Sequence, residues 1–345
     1  MRQVEVVAPN FKKRLSGVTS TIVQLVPLQA RHLGVATLGP GLPAGLPKMR
    51  WRQLPSLWLR PRTGKARIWH ARRNVEMAPG IVLRALGAPL KLVFTSAAQR
   101  RHRPFTKWLI RRMDAVIATS ERSGGFLDTP FTVIRHGVDL EAFHPARTEA
   151  DAFAAAGLPG SHAIGCFGRV RHQKGTDLFV DAMIALLPDH PAWTAVICGR
   201  VTAEHAAFAE VLKRRVAEAG LAERILFLGE VDDIRVWYRR VSLYVAPSRN
   251  EGFGLTPLEA MASGTAVVAS DAGAYAEMVV PGETGAVVLA GDGVALREAI
   301  RPYLEDETLA RRHGAEGLAR VQAEFSLDRE EAAIRAVYDR LWAAR

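Results

Sequence analysis

The stretch that decides the fold runs from Ser242 to Glu259 and reads SLYVAPSRNEGFGLTPLE. It begins with a short apolar run, passes through a polar loop with two glycines, and continues into a helical pattern. Pro257 suits the first position of a helix and Thr256 suits its N-cap, so we expect the helix to begin there. The stretch therefore predicts one strand–loop–helix unit of an α/β protein.

The same alternation of strand and helix extends through both halves of the 345-residue chain. Uniformly apolar strands are typical of parallel sheets that helices cover on both faces. Two sets of about six strands predict two doubly wound, Rossmann-like domains that face a central cleft, where ligands bind. We place an N-terminal domain at residues 1–147 and a C-terminal domain at 148–324. Residues 325–345 are expected to form a helix that packs back on the first domain.

Composition excludes several classes of protein. The hydrophobic content of 48% and the charged content of 23% are those of a globular chain. No run of 18 apolar residues is present, and the first apolar segment contains Glu5, so we expect a first strand and neither a spanning helix nor a signal peptide. Cys166 and Cys198 lack ligand or disulfide spacing and are expected to be reduced core residues. These features favour the cytoplasm.

The charge is unevenly distributed. Residues 1–150 contain 25 Lys+Arg against 8 Asp+Glu, whereas the remainder contains 21 against 27. A basic first half predicts an anionic partner. Nucleic acid, an anionic lipid surface and a phosphorylated or carboxylated acceptor all fit this charge.

The loop between the predicted strand and helix has the features of a diphosphate site. Gly252 and Gly254 allow close backbone approach, and the following helix start favours an anion. Glu259 has two interpretations, since with Thr256 it also forms a capping box. Glu251 is either a solvated surface carboxylate or, together with Glu259, a ligand for the hydroxyls of a ribose or hexose.

A second loop, residues 167–176, joins another strand to another helix. It contains Arg169 and Lys174, which could reach a phosphate in the same cleft. Exposed cations on a turn are often only solvated, but the topology shared with the Glu251 loop favours binding. The pair Asp232-Asp233 is expected to cap a helix rather than to hold a metal.

These motifs together resemble the E-x7-E pattern of the retaining family 4 glycosyltransferases, which have the GT-B fold. The resemblance covers nearly the whole chain and is closest to the bacterial lipopolysaccharide core mannosyltransferases of that family. It rests on Arg169 with Lys174-Gly175, on the segment Glu251 to Glu259, on Gly282-Glu283-Thr284-Gly285, and on His136-Gly137-Val138-Asp139.

The resemblance implies a role for each matching residue. Arg169 and Lys174 would neutralise the diphosphate, and Glu259 would bind the nucleotide ribose. The hexose hydroxyls and the distal phosphate would be held by Glu251 and by the backbone of Gly252, Phe253, Gly254 and Leu255. The family implies no metal and no cofactor besides the nucleotide-sugar donor, and the leaving phosphate would accept the proton of the acceptor.

The N-terminal half departs from the family pattern. The double-glycine first loop reads Ser16-Gly17-Val18, which still permits a tight turn of Gly17 near phosphate. The frequent H-x-H motif reads His70-Ala71-Arg72, so His70 is the candidate for contact with the transferred sugar. The alternative is a histidine that is satisfied locally at a strand end.

Two segments of the basic half mix tryptophan with arginine, residues 49–62 and 105–112. This combination suits a lipid headgroup boundary, so we predict peripheral contact with an anionic membrane, on its cytoplasmic face, and an anionic lipid-linked acceptor. The alternative is a set of ordinary helices with a solvated basic face.

The predicted function is transfer of a hexose, mannose from GDP-mannose, to a lipopolysaccharide core acceptor. A UDP- or ADP-sugar donor and a sugar-nucleotide epimerase of the same fold are the alternatives. A nicotinamide enzyme is disfavoured because Asn10 to Arg14 follow the first strand in place of G-x-G-x-x-G. A nucleic acid is not expected as a partner, because no recognition motif accompanies the charge.

Overall fold

The computed structural model describes residues 1–13 and 17–344, without the side chain of Val18. The chain divides into two compact units, of which unit 1 contains Met1–Gly137 with Leu327–Arg345 and unit 2 contains Val138–Ser326. Each unit is built around one parallel sheet, as the apolar strands predict. In the described residues, no helix is both long and apolar enough to cross a membrane.

Unit 1 has a seven-stranded sheet in the order β3-β2-β1-β4-β5-β6-β7. Its strands are β1 (Val6–Pro9), β2 (Val35–Leu38), β3 (Lys48–Met49), β4 (Arg67–Ala71), β5 (Leu90–Ser96), β6 (Ala115–Ala118) and β7 (Thr132–Val133). Its helices are α1 (Gly17–Gln29), α2 (Asn74–Ala85), α3 (Pro104–Ile110), α4 (Glu121–Gly124) and the C-terminal helix (Leu327–Ala343), with a 3-10 helix at Trp51–Trp58.

Unit 2 has a six-stranded sheet in the order β10-β9-β8-β11-β12-β13. Its strands are β8 (His162–Phe167), β9 (Trp193–Cys198), β10 (Ile225–Gly229), β11 (Leu243–Ala246), β12 (Ala266–Ser270) and β13 (Gly285–Val288). Its α-helices are α5 (Thr176–Leu186), α6 (Ala206–Glu218), α7 (Ile234–Arg240), α8 (Thr256–Ala262), α9 (Tyr275–Met278), α10 (Gly293–Glu305) and α11 (Glu307–Glu324). Asp233 caps α7 by accepting from the N–H of Arg235.

Alternating strand residues feed two cores in each unit, because successive side chains point to opposite faces of a sheet. In β8, Ile164 and Cys166 face one core while Ala163 and Phe167 face the other. In unit 1 the C-terminal helix contributes Ile334, Val337 and Tyr338 to the core that also receives Val6 and Ala8 of β1.

The boundary between the units lies at Gly137/Val138 rather than at the predicted 147/148. The reason is that the intervening residues pack on unit 2. The N–H of Val138 donates to the carbonyl of Phe325 at 2.8 Å, and Asp151 forms an ion pair with Arg239 at 2.6 Å. Local composition does not reveal such long-range contacts.

Candidate active site

The sheet of unit 2 reverses its strand order between β8 and β11. The chain leaves β8 toward β9 and leaves β11 toward β12, so the two following loops diverge and open a crevice at the carboxyl ends of these strands. Ligands of doubly wound folds bind at such a switch point. The loops are residues 167–175 and 247–255, and a small cavity is lined by residues from both, among them Gly168, Lys174 and Ser248.

Arg249 ties the two loops together. Its backbone N–H donates to the carbonyl of Gln173 at 2.9 Å, and its guanidinium donates to the carbonyl of His172 at 2.7 Å. The same guanidinium binds both carboxylate oxygens of Asp177 in the first turn of α5, at 2.7 and 2.8 Å. This bidentate pair sets the register of one loop against the other.

Gly175 allows this close approach. Its φ is +70°, and a Cβ atom at this position would lie 1.9 Å from the carbonyl oxygen of Pro247. A side chain would therefore push the two loops apart. The glycine of the Lys174-Gly175 motif is required by the contact between the loops as well as by the turn itself.

Lys174 and Glu251 meet in this crevice. The ammonium of Lys174 donates to Oε2 of Glu251, and both side chains are about four-fifths buried, at 20% and 19% exposure. Oε1 of Glu251 accepts from the N–H of Gly252 at 3.2 Å. Lys174 has two further donors for a phosphate, and Glu251 has lone pairs for hydroxyl groups.

Glu259 lies in the first turn of α8, partly buried, and accepts from the hydroxyl of Tyr238 at 2.8 Å. Burial raises the pKa of this carboxyl, against the opposing effects of the Tyr238 hydrogen bond and the charge of Lys174. The prediction that Thr256 is the N-cap is wrong, because Leu255 occupies the cap without a side-chain bond. Since no capping box forms, the carboxylate of Glu259 is not used to begin the helix.

Arg169 follows β8 and is exposed, and it has no hydrogen-bond or ion-pair partner in the described part of the chain. Its neighbour Arg171 is partly buried and its Nε has no partner among the described residues. Burial lowers the pKa of Arg171, and the charge of Arg169 lowers it further. Together with Lys174 these residues place three cations on one turn, an arrangement that suits a diphosphate.

The backbone after Glu251 is also shaped for a ligand. Gly254 has a φ of +84°, and a Cβ there would lie 2.3 Å from the ring of Tyr275 and 2.7 Å from Cγ of Glu251. In the described residues, no acceptor takes the N–H groups of Gly254 and Leu255. The side chain of Phe253 is buried in the core, so only its backbone is available to a ligand.

Sequence reasoning assigned no role to Arg249, Tyr275 and Tyr238. Arg249 lies in the quoted stretch, two residues before Glu251. A cation so close to the predicted site could have been recognised from the sequence as a candidate site residue. Tyr275 follows β12, the neighbour of β11, so the rule that strand ends converge at one edge could have found it. Tyr238 is on a helix and gives no such signal.

The two remaining predicted residues, His70 and Gly17, belong to unit 1. His70 is buried at the end of β4, with Nδ1 at 2.5 Å from the hydroxyl of Tyr338 and Nε2 at 2.7 Å from that of Thr95. Burial holds the pKa of His70 well below its usual value. These contacts are those of the locally satisfied histidine, and contact with the sugar stays a prediction. Gly17 is the exposed first residue of α1, and Ser16 lies outside the described residues.

The chain is similar to known glycosyltransferases. The family model described as "Glycosyl transferases group 1" matches residues 161–306. The lipopolysaccharide core biosynthesis mannosyltransferase LpcC of Rhizobium leguminosarum bv. viciae is 68% identical over 99% of this chain and 97% of its own length. The corresponding enzyme LpsB of Rhizobium meliloti is 56% identical over 99% of both chains.

Solved structures show the same architecture. The C-terminal domain of a group 1 glycosyl transferase, LpcC from Francisella tularensis, is 36% identical and covers 55% of this chain and 99% of its own, with a TM-score of 0.53. HepE of Anabaena, solved with UDP, covers 97% of this chain and all of its own with a TM-score of 0.82, and at 19% identity it supports the fold alone. The chain belongs to the group 1 glycosyltransferases of the GT-B fold, in the family of the lipopolysaccharide core mannosyltransferases.

Proposed function

We propose that the protein transfers mannose from GDP-mannose to a lipid-linked lipopolysaccharide core acceptor, with retention of the anomeric configuration. The observation that carries the proposal is the Lys174–Glu251 pair beside Arg169, at the switch point of unit 2. The names of the two relatives that match nearly the whole chain support the sugar and the acceptor class.

Each charged group has a task in this reaction. The acceptor oxygen bonds to the anomeric carbon while the bond from that carbon to the diphosphate breaks, and the proton of the acceptor passes to a phosphate oxygen. Arg169 and Lys174 stabilise the negative charge that develops on the diphosphate. Glu251 holds hexose hydroxyls, and Glu259 accepts from the ribose. The proposed chemistry uses neither a metal nor a cofactor besides the donor.

A thermal-shift panel of GDP-mannose, UDP-glucose and ADP-glucose tests the donor. A ligand that binds only the folded state raises Tm in proportion to its occupancy, so we expect selective stabilisation by GDP-mannose. If another donor stabilises the protein selectively, the transferred sugar is not mannose from GDP-mannose and that donor takes its place in the proposal. Release of nucleoside diphosphate only when acceptor is present separates the transferase from an epimerase.

Glu251→Gln tests the site itself. We expect transfer to fall at least about 100-fold, because the neutral amide neither pairs with Lys174 nor accepts from sugar hydroxyls as strongly as a carboxylate. Glu210→Gln is the matched control, since Glu210 pairs with Lys213 on the exposed surface of the same unit. Full activity of Glu251→Gln in an assay that measures product would contradict the site assignment.

We also propose that unit 1 docks peripherally on the cytoplasmic face of an anionic membrane. Large apolar side chains are exposed on neighbouring elements of this unit: Trp58 at 40%, Leu86 at 64%, Phe105 at 60% and Trp108 at 46%. The indole N–H of Trp58 donates to the carbonyl of Leu86 at 2.8 Å, and Phe105 stacks on Trp108. The guanidinium of Arg112 lies 3.7 Å from the centre of the Trp108 ring.

Unit 1 contains 28 Lys+Arg against 9 Asp+Glu, a net charge of +19. Aromatic rings with surrounding arginines suit the boundary of an anionic membrane. We therefore expect stronger binding to anionic than to neutral vesicles, and about tenfold weaker binding after Phe105→Ser with Trp108→Ser. The control is Leu289→Ser with Val294→Ser, which removes two apolar side chains of unit 2 that are more exposed than Phe105 and Trp108. Equal binding to both kinds of vesicle would contradict the proposal.

A further inference from the structure

Arg72 directly follows β4, at the switch point of the other sheet. In unit 1 the strand order reverses between β1 and β4, since the chain leaves β1 toward β2 and leaves β4 toward β5. This is the position in unit 1 that corresponds to the Lys174–Glu251 position in unit 2. By the rule for doubly wound sheets, it is where unit 1 binds a ligand.

The hydrogen-bonding capacity of Arg72 is almost unused. The residue is only 9% exposed, yet its one bond runs from Nη1 to the carbonyl of His70 at a long 3.4 Å. Nε and Nη2 have no acceptor among the residues the structure describes. A guanidinium carries five donors, and burying an unbonded charge costs stability. A folded chain keeps such a group where a ligand completes its bonds.

The nearest carboxylates are already committed to other donors. Glu76 accepts from Nη1 of Arg73 and from the backbone N–H of Arg72, each at 2.8 Å. Glu330 accepts from Nδ1 of His136 and from the N–H of Gly137, each at 2.7 Å. Burial lowers the pKa of Arg72, and these two carboxylates oppose that shift. An arginine remains charged in this setting, so the site is cationic.

Arg67, at the opposite end of the same strand, shows what a structural arginine looks like. It is 1% exposed, and its Nε donates to the carbonyl of Val4 at 2.8 Å. Its Nη1 donates to three carbonyls of the 3-10 helix region, and its Nη2 donates to the carbonyl of Met1 at 3.4 Å. The contrast indicates that Arg72 is not retained for packing.

We propose that Arg72 binds an anionic group, a carboxylate or a phosphate, of the sugar acceptor. This rests on the proposed function and names the acceptor chemistry that unit 1 recognises. The planar guanidinium fork matches the two oxygens of either anion. The hydroxyl of Thr119, just after β6, and Oε1 of Gln99, just after β5, are also buried without partners at this carboxyl edge, as suits a ligand rich in hydroxyl groups.

Steady-state kinetics with acceptor and donor varied separately test this proposal. For Arg72→Met we expect the acceptor KM to rise about 10- to 100-fold, the range for a lost hydrogen-bonded charge, with the donor KM within twofold of wild type. Arg72→Lys keeps the charge but lacks the planar guanidinium fork, so its acceptor KM should lie between those of wild type and Arg72→Met. Arg31→Met removes an exposed arginine from the same unit and should change neither constant. An unchanged acceptor KM, or a raised donor KM, overturns the proposal.

Melting curves separate binding from a structural role. Replacing an unsatisfied buried charge by an apolar side chain of similar volume is often neutral or stabilising. We expect Arg72→Met to melt at or above the wild-type temperature and Arg67→Met to melt well below it. Arg72→Met that melts as low as Arg67→Met would make Arg72 a structural residue and overturn the proposal.

Two modified acceptors identify the anion. In one acceptor the phosphates are removed from the isolated core, and in the other its carboxylates are reduced to alcohols. One of the two treatments should raise the wild-type acceptor KM as much as Arg72→Met does. The Arg72→Met variant should not respond to that same modification. If neither treatment changes the acceptor KM of the wild-type protein, the proposal is overturned. Absence of any mannose transfer by wild-type protein would instead contradict the proposed function.

Discussion

The switch points of the two sheets have the same topology, and both place cationic side chains there, in units of opposite net charge. Unit 2 carries 18 Lys+Arg against 26 Asp+Glu, a net charge of −8, yet it places Arg169, Arg171 and Lys174 on the turn after β8. Unit 1 has a net charge of +19, and directly after β4 it places Arg72, whose guanidinium makes one hydrogen bond within the described residues, a long one to the carbonyl of His70. The net charge of a unit therefore indicates what its surface attracts, whereas the side chains on the loops determine what the crevice binds.

The loops differ in how they are held. The crevice of unit 2 is rigidified by Arg249 between the loops and by Gly175 against Pro247. At the crevice of unit 1, Arg73 bonds to Asn10 and Glu76, whereas the guanidinium of its neighbour Arg72 bonds, within the described part of the chain, only to the carbonyl of His70. We expect changes in unit 2 to act on the donor and changes in unit 1 to act on the acceptor.

The largest effect is expected for Gly175→Ala. The added Cβ would lie 1.9 Å from the carbonyl oxygen of Pro247, so the loops must separate and Lys174 must move. A displacement of about 1 Å at a reacting group lowers turnover by about 100-fold. Gly220→Ala is the matched control, since Gly220 has the same φ of +70° with nothing within 4 Å. It should cost about 1 kcal/mol of stability without loss of kcat. Equal kcat in the two variants would show that the contact between the loops does not position Lys174.

A smaller effect is expected for Arg249→Met. The change removes the bidentate bond to Asp177 and the bond to the carbonyl of His172, so the free energy of unfolding should fall by about 1–3 kcal/mol. We expect the donor KM to rise about tenfold and the acceptor KM to stay constant. Arg215→Met breaks the exposed pair with Asp181 and is the control, with less than about 1 kcal/mol lost. A raised acceptor KM in Arg249→Met would contradict the assignment of the donor to unit 2 and the acceptor to unit 1.

The smallest effect is expected for the stability of Glu259→Gln. The pKa of Glu259 is raised by burial, so the folded state binds the proton more tightly than the unfolded state does. The stability that this group contributes is present at low pH and is lost as the pH rises through the raised pKa. The melting temperature of Glu259→Gln, relative to that of wild type, should therefore rise from pH 5 to pH 8. For Glu283→Gln, which changes an exposed residue, this difference should stay constant.

Glu259 also titrates within the proposed donor site. Because an ionised carboxylate accepts from the ribose more strongly than a protonated one, donor affinity should fall on acidification, at a pH above the usual glutamate range. Glu259→Gln should bind donor more weakly and lose this pH dependence. A donor affinity with the same pH profile in both proteins would place the ribose elsewhere.

Local pattern was sufficient for most of the fold. All twelve predicted strands are present, because each is a short apolar run between polar loops, and such runs are buried in parallel sheets whatever surrounds them. The strand that was missed, β3, has two residues, Lys48–Met49, and its pairing with β2 is a tertiary event. The helix predicted to start at Pro257 starts one residue earlier, at Thr256, because Leu255 is the N-cap.

The sequence by itself determined the strands of the two sheets and placed Lys174, Glu251 and Glu259 in strand–loop–helix segments, because each such segment is local in the chain. The tertiary structure alone decided that Arg249 joins the loops, that Glu259 binds Tyr238 and that His70 is satisfied by Tyr338. It also decided that the guanidinium of Arg67 bonds to several carbonyls, whereas that of Arg72 bonds to one among the described residues. Hydrogen-bond saturation depends on distant partners, 268 residues apart for His70 and Tyr338, and no spacing along a chain encodes it.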